Sequence, residues 1–205
     1  MLMFNAPLPI ILASTSPRRH ELLNQVKIVH TQIGVESDER IFPAETPTEY
    51  IQRMVAQKAK VAITLLQTPS ECLLITADTI GVIGDNSILV KPINFANACD
   101  MWQKMSDPLH HNRHHVWTAV QLSQLKDKQI LAKKTALVKT EVEFIALTPE
   151  MMADYWQSGE PQDKAGGYAI QGLGASWVKA INGSYSNVVG LPIVETLALL
   201  DEFSR

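Results

Sequence analysis

Ser14-Thr15-Ser16-Pro17-Arg18-Arg19 is the first stretch whose residue types could do chemistry. It follows the apolar run Ile10-Ile11-Leu12 and opens a segment of helical character over 18–26. A strand–turn–helix of this kind aims backbone N–H groups, the positive end of the helix dipole and two guanidinium groups at one point. Ser14 and its hydroxyl neighbours let an anion approach closely, and the planar fork of Arg matches phosphate oxygens. Ser16 falls at the N-cap, and Pro17 at the first helical position, where its missing N–H costs nothing. The same residues also describe a capped surface helix with two solvated arginines, so this segment alone reads either way.

Asp78 closes the apolar run 72–77, which places its carboxylate at the end of a buried strand. There it could take a proton from water or bind a hard cation, or it could cap a turn. Lys91, before Pro92, offers a point charge for phosphate. Asp38 and Glu39 could supply metal oxygens, although adjacent acids in a loop are commonly solvated, as are Lys58 and Lys60 on a helix face. His110-His111-Asn112-Arg113-His114-His115 lacks a nearby carboxylate or cysteine and reads as an exposed loop entering a strand rather than a zinc site. The tryptophans at 102, 117, 156 and 177 read as packing.

The segment 158–172, Ser-Gly-Glu-Pro-Gln-Asp-Lys-Ala-Gly-Gly-Tyr-Ala-Ile-Gln-Gly, carries the densest signal. Its glycines let a tight backbone reach a ligand closely. Gln171 can present both a donor and an acceptor to the edge of a base.

These residues need a scaffold. A chain of 205 residues buries roughly 70% of its unfolded surface, enough to fold without disulfide or structural metal. Cys72 and Cys99 lack CxxC spacing and read as free thiols in a reducing compartment. A net charge of −3 gives no basic field for nucleic acid or an anionic membrane. No run approaches the ~20 apolar residues of a membrane helix, and the N-terminal run lacks the basic region of a signal peptide. The expectation is a soluble cytoplasmic protein.

Pattern predicts a strand at 9–13, an extended run at 28–35 and a helix beginning near Thr46-Pro47-Thr48-Glu49. A hairpin follows, joining 80–83 to 88–90 through Gly84-Asp85-Asn86-Ser87. Helices are predicted at 95–105, 149–157 and 192–203, and half-buried strands at 116–122 and 136–145. Interleaved strands and helices with hairpins give an α/β fold, a mixed central sheet flanked by helices.

Taken in order, Leu12-Ala13-Ser14-Thr15-Ser16-Pro17-Arg18-Arg19 with Glu21-Leu22-Leu23, Asp38-Glu39, Ala56-Gln57-Lys58-Ala59, Ala77-Asp78-Thr79 and Lys91-Pro92 resemble the Maf family of nucleoside triphosphate pyrophosphatases. The likeness continues through His115-Val116-Trp117-Thr118, Gly159-Glu160-Pro161, Asp163-Lys164-Ala165-Gly166 and Ile170-Gln171-Gly172. It closes on Gly183-Ser184-Tyr185 and Val189-Gly190-Leu191-Pro192.

The resemblance implies one Maf/ITPase-like domain over 1–205, with two lobes around a nucleotide-binding cleft and a lobe boundary the sequence does not fix. It implies attack of water at the α-phosphorus of a nucleoside triphosphate, assisted by a divalent cation (Mg²⁺, Mn²⁺ or Co²⁺), with release of pyrophosphate. Asp78 corresponds to the proton acceptor. Ser14, Arg19, Lys58 and Lys91 correspond to the phosphate cradle, and Glu39 with Asp78 to the metal or water contacts. A free Asp titrates near ~3.9 and is a weak base at neutral pH unless its surroundings raise that value or a metal activates the water.

Arg18, Thr79 and Gln171 stand where the family's subgroups differ, and this set resembles the branch acting on dTTP and UTP. The branch acting on 7-methyl-GTP resembles Trp, Gln and Glu there. A neutral Gln suits the imide edge of uracil or thymine, whereas Glu suits a cationic methylated guanine. The implied role is housecleaning of normal and modified pyrimidine nucleotides by a homodimer. The alternatives are a non-catalytic nucleotide-binding regulator of cell division and a phosphatase taking the γ-phosphate. Asp78, Lys91 and Glu39 argue against lost catalysis. Departures from the family pattern are the long His110–His115 loop and the Gly81 and Gly84-Asp85-Asn86 hairpin.

Overall fold

The computed structural model describes residues 7–67, 70–84 and 87–204. Met1 to Ala6 of the N-terminal run, Asp85 and Asn86 of the expected turn, and the His110 side chain lie outside the described residues. The fold is α/β, with a seven-stranded mixed sheet. β1 (Ile10–Ala13), β2 (Thr31–Ile33), β3 (Glu71–Ile83), β5 (Arg113–Lys126), β6 (Gln129–Phe144) and β7 (Val178–Asn182) lie in the order β2-β1-β3-β5-β6-β7; β4 (Ser87–Leu89) pairs with β3. The helices are α1 (Pro17–Gln25), α2 (Pro47–Leu65), α3 (Phe95–Met105), α4 (Pro149–Gln157), α5 (Tyr185–Val189) and α6 (Ile193–Glu202). No helix among the described residues is long and apolar enough to cross a membrane.

The chain forms two compact units. The first comprises residues 1–78, 118–138 and 190–205, and the second 79–117 and 139–189. In the first, β1 pairs in parallel with β2 on one side and β3 on the other, Ile10 to Ala13 facing Leu73 to Thr76. All four β1 residues are buried, which is why this strand reads as a continuous apolar run rather than an alternation. α2 packs its buried face (Tyr50, Ile51, Met54, Val55, Lys58, Ala59, Ala62) inward. Its start is fixed by a capping box, with Thr46 Oγ1 accepting from the Glu49 N–H and the Glu49 carboxylate accepting from the Thr46 N–H.

In the second unit, β3 and β4 form the expected hairpin, Val82 facing Ile88. α3 and α4 occupy the residues their periodicity predicts, capped by Asn94 and Thr148. The core gathers Trp102, Phe144, Tyr155, Tyr168 and Trp177. Trp102 and Trp117 are buried as well, so the packing reading of the tryptophans holds for them and for Trp177.

Several sequence expectations change. β3 does not end at Asp78 but runs on to Ile83, where antiparallel pairing with β4 supplies partners for Gly81, Val82 and Ile83. The expected extended run 28–35 is a strand only at Thr31–Ile33. β5 and β6 extend well beyond their alternating centres, and β7, which pairs with β6, has no pattern that marks it in advance. The histidine run is not an exposed loop throughout. His114 lies inside β5 at 1% exposure, its Nε2 2.7 Å from Tyr168 Oη.

Candidate active site

β1 ends at Ala13, and the chain turns through Ser14, Thr15 and Ser16 into α1. Ser16 stands at the N-cap with extended backbone but makes no side-chain capping bond; its N–H donates to Ser14 Oγ instead (3.1 Å). Ser14 is thereby the organiser of the turn. Its Oγ also accepts from Arg19 Nη1 (3.2 Å), and its carbonyl accepts from Gln32 Nε2 (2.8 Å). Arg19 lies in the first turn of α1, nearly buried, with Nε donating to the Gly190 carbonyl (2.7 Å). Burial pulls the pKa of its guanidinium down, with Arg18 adding to that, while the charges of Asp78 and Glu39 work in the opposite direction. Arg18 is half-buried beside it.

Lys58 is the centre of the arrangement. α2 turns it inward at the helical phase of Met54 and Ala62, leaving it 8% exposed. Its Nζ donates to Asp78 Oδ1 and to Glu39 Oε1 (3.2 Å). Asp78 is itself 7% exposed and lies two residues past the last pairing of β3 with β1, Thr76 opposite Ala13. A buried ammonium needs such partners, because an unpaired buried charge is costly. Two carboxylates and two cations, Lys58 and Arg19, therefore share one neighbourhood.

Glu39 comes from a loop that α2 holds in place. Tyr50 Oη donates to the Glu39 carbonyl (3.0 Å), and Arg53 donates to the Arg40 carbonyl (2.8 Å). Arg53 also pairs with Glu45 and stacks on Phe42, 4.0 Å from the ring centroid. Burial, with the charges of Asp78 and Glu39, pushes the Tyr50 phenol up, so it stays a hydrogen-bond donor. Sequence reading takes Tyr50 as core and gives Arg53 no role. Their spacing with Gln57 on one helix face is a signal, but it does not say which loop they meet. Asp38, by contrast, pairs only with exposed Arg40 among the bonds described.

Thr79, Lys91 and Gln171 belong to the second unit. Thr79 follows Asp78 directly in β3. Lys91 is exposed just after β4, and the Val90 carbonyl before it accepts from the Gly166 N–H (3.0 Å), tying this strand end to the glycine-rich segment. Gln171 is half-buried within that segment, between Ile170 and Gly172.

The donor set suits a hard divalent cation. Glu39 and Asp78 each bring a carboxylate oxygen to the one Lys58 ammonium, and Mg²⁺ characteristically takes one or two carboxylates together with phosphate oxygens and water. Among the described residues no group of three His, Cys, Asp or Glu side chains gathers as a metal site.

A strand–turn–helix with a buried arginine, within electrostatic reach of the two carboxylates that hold Lys58, has the chemistry to take a polyanion together with a cation. The model of the Maf family, described as Maf-like protein, matches residues 9–203, and the chain belongs to that family. The dTTP/UTP pyrophosphatase of Psychrobacter arcticus is 50% identical, covering 96% of this chain and 95% of its own. Those of Pseudoalteromonas atlantica and Escherichia coli O157:H7 are 44% and 43% identical, each over 95% of this chain and 97% and 93% of their own. The Staphylococcus aureus Ham1 protein shares the fold, with a TM-score of 0.51 at 13% identity over 95% of this chain and 98% of its own.

Proposed function

We propose that this protein is a nucleoside triphosphate pyrophosphatase that converts dTTP, UTP and modified pyrimidine nucleotides to the monophosphate and pyrophosphate, with a divalent cation, as a housecleaning enzyme. The observation that carries the reading is buried Lys58 bonded to buried Asp78 and to Glu39, with Arg19 buried nearby. The pyrophosphatase relatives above support the reaction class and the pyrimidine preference. The free thiols of Cys72 and Cys99 support a cytoplasmic location, and family resemblance supports a homodimer.

In this reading Ser14, Arg19, Lys58 and Lys91 bind the triphosphate, and Arg18, Thr79 and Gln171 govern the choice of nucleoside. Guanidinium and ammonium groups fixed before substrate arrives need no reorganisation as charge moves onto the leaving group. Asp78 takes the proton of water as the water oxygen forms its bond to the α-phosphorus. The bond from that phosphorus to the bridging oxygen breaks, and pyrophosphate leaves. Glu39 and Asp78 would hold the cation, which when bound supplies Lewis acidity to phosphoryl oxygens and lowers the pKa of a bound water. Lys58 keeps the two carboxylates from repelling each other without it.

The test is product analysis on a panel of nucleoside triphosphates with Mg²⁺, Mn²⁺ or Co²⁺. Wild type releases pyrophosphate, not phosphate, from dTTP and UTP, and Asp78→Asn loses about 10²–10⁴-fold in kcat, the usual share of a positioned base. Unchanged turnover in the variant removes Asp78 as the base. Silence of the wild type across the whole panel leaves a nucleotide-binding regulator.

A further inference from the structure

Both oxygens of the Glu160 carboxylate are engaged by the segment that carries Gln171. Oε1 accepts from Tyr155 Oη (2.7 Å) and from the Gly174 N–H (3.0 Å), while Oε2 accepts from the Leu173 N–H (2.9 Å). Tyr155 Oη in turn accepts from the Ala169 N–H (3.2 Å). The backbone is thus gripped just before Gln171, at Ala169, and just after it, at Leu173 and Gly174.

The grip has a rigid mount. Tyr155 projects from α4, is 5% exposed, and packs its ring 4.5 Å from that of Trp177 and 5.7 Å from that of Trp102, centroid to centroid. Trp102 Nε1 donates to the Gly167 carbonyl (3.1 Å), so the same aromatic cluster also holds the segment ahead of Gln171.

The glycines fit this arrangement and no larger residue does. Gly172, directly after Gln171, has φ 102 and ψ −151, a conformation essentially restricted to glycine. A Cβ there would lie 2.4 Å from Glu160 Oε2. At Gly174 a Cβ would lie 2.5 Å from the Ala169 carbonyl oxygen and 2.6 Å from Tyr155 Oη. Burial opposes a charge on Glu160, but the bonds from Tyr155, Gly174 and Leu173 together outweigh it and hold the carboxyl below its ordinary range. A charged, multiply bonded carboxylate is far more than a surface turn requires. It is what a turn needs if one side chain on it must point in one direction.

We infer that Tyr155 and Glu160 form a clamp that sets the backbone at Gln171, making them positioning residues for base selectivity. The inference rests on the reading of Gln171 as the residue meeting the pyrimidine edge. Gln in place of Glu160 keeps the shape but cannot accept from both N–H groups with its amide nitrogen side, so the turn loosens. A displaced Gln171 weakens binding of the base in ground state and transition state alike, which raises KM.

The experiment measures kcat and KM for dTTP and GTP in wild type, Glu160→Gln, Gln171→Ala and the double variant, with amide exchange at Leu173 and Gly174. The expected result is a dTTP:GTP selectivity about tenfold lower in Glu160→Gln, the worth of one lost hydrogen bond, carried by KM for dTTP. The double variant is no less selective than Gln171→Ala alone, because the clamp acts through that side chain. Tyr155→Phe, which keeps the ring packing, gives the same direction and serves if Glu160→Gln folds poorly. Unchanged selectivity in both clamp variants while Gln171→Ala loses it overturns the inference. So does a kcat loss shared equally by both nucleotides, which marks a merely structural role. If Gln171→Ala itself leaves selectivity unchanged, the base-recognition reading fails and the selectivity role of the clamp falls with it. Faster exchange at Leu173 and Gly174 in Glu160→Gln then shows that the clamp existed and that only its purpose was misassigned.

Discussion

Replacing Lys58 with Met tests whether the carboxylate–lysine–carboxylate triad is a real structural unit. The side chains of Lys58 and Asp78 are 11% and 9% exposed, whereas Glu39 is 42% exposed. Met matches the apolar stem, so the main loss is the ammonium. Asp78 is then left buried beside Glu39, with Arg19 as the remaining nearby cation. Breaking a buried pair by removing one partner costs about 3–5 kcal/mol. The residual attraction of Arg19 and the water access at Glu39 place this site near the lower end, at about 3 kcal/mol. For a chain of this size that is a fall in Tm of roughly 6–12 °C. Asp78→Asn in the Lys58→Met background removes the stranded charge and recovers part of the loss, so the two substitutions couple. Equilibrium denaturation of the wild type, both single variants and the double variant gives the coupling energy directly. A coupling within about 0.5 kcal/mol of zero, or a Tm change below about 2 °C, would falsify the buried Lys58–Asp78 pair and return Lys58 to the status of a solvated surface lysine.

His114 makes the fold pH-dependent. Burial, with the charge of His115 adding to it, lowers its pKa from 6.5 to about 3. The folded value lies below the unfolded one, so the stability it contributes is complete above pH 6.5 and declines as the pH falls toward 3, by at most about 1.4 kcal/mol per pH unit. Denaturation midpoints of wild type and His114→Asn from about pH 7 to pH 4 should diverge in slope; parallel curves exclude the effect. At the candidate specificity position, Gln171→Glu places an acceptor-only carboxylate where a pyrimidine imide N–H and carbonyl need both a partner and a donor. The dTTP:GTP ratio of kcat/KM should fall by about tenfold or more, and an unaltered ratio excludes Gln171 from base choice.

α3 and α4 occupy the residues their sequence periodicity marks, because Asn94 and Thr148 cap them locally and their apolar residues repeat within a few positions. The β3–β4 hairpin and the glycine-rich segment are legible for the same reason. The site was legible as a set of residue types, Ser14-Thr15-Ser16-Pro17-Arg18-Arg19 above all. Lys58 shows where that reading stops. Its phase with Met54 and Ala62 marks it as inward-facing, but a lysine on a helix is ordinarily solvated, and only the carboxylates from β3 and the 36–46 loop make its burial tolerable. His114 likewise reads as a loop residue in the sequence, whereas β5 and the aromatic cluster enclose it.

The α/β class, the caps at Thr46, Asn94 and Thr148, and the inventory of groups able to bind phosphate and move a proton follow from local pattern, since each depends on neighbours a few residues away. Long-range packing sets the rest: that β3 continues past Asp78, that Arg19 is anchored by the Gly190 carbonyl, and that Glu160 and Tyr155 grip the turn around Gln171. Those outcomes depend on which distant segments become neighbours, and the charge and burial of a side chain are properties of that company rather than of the residue alone.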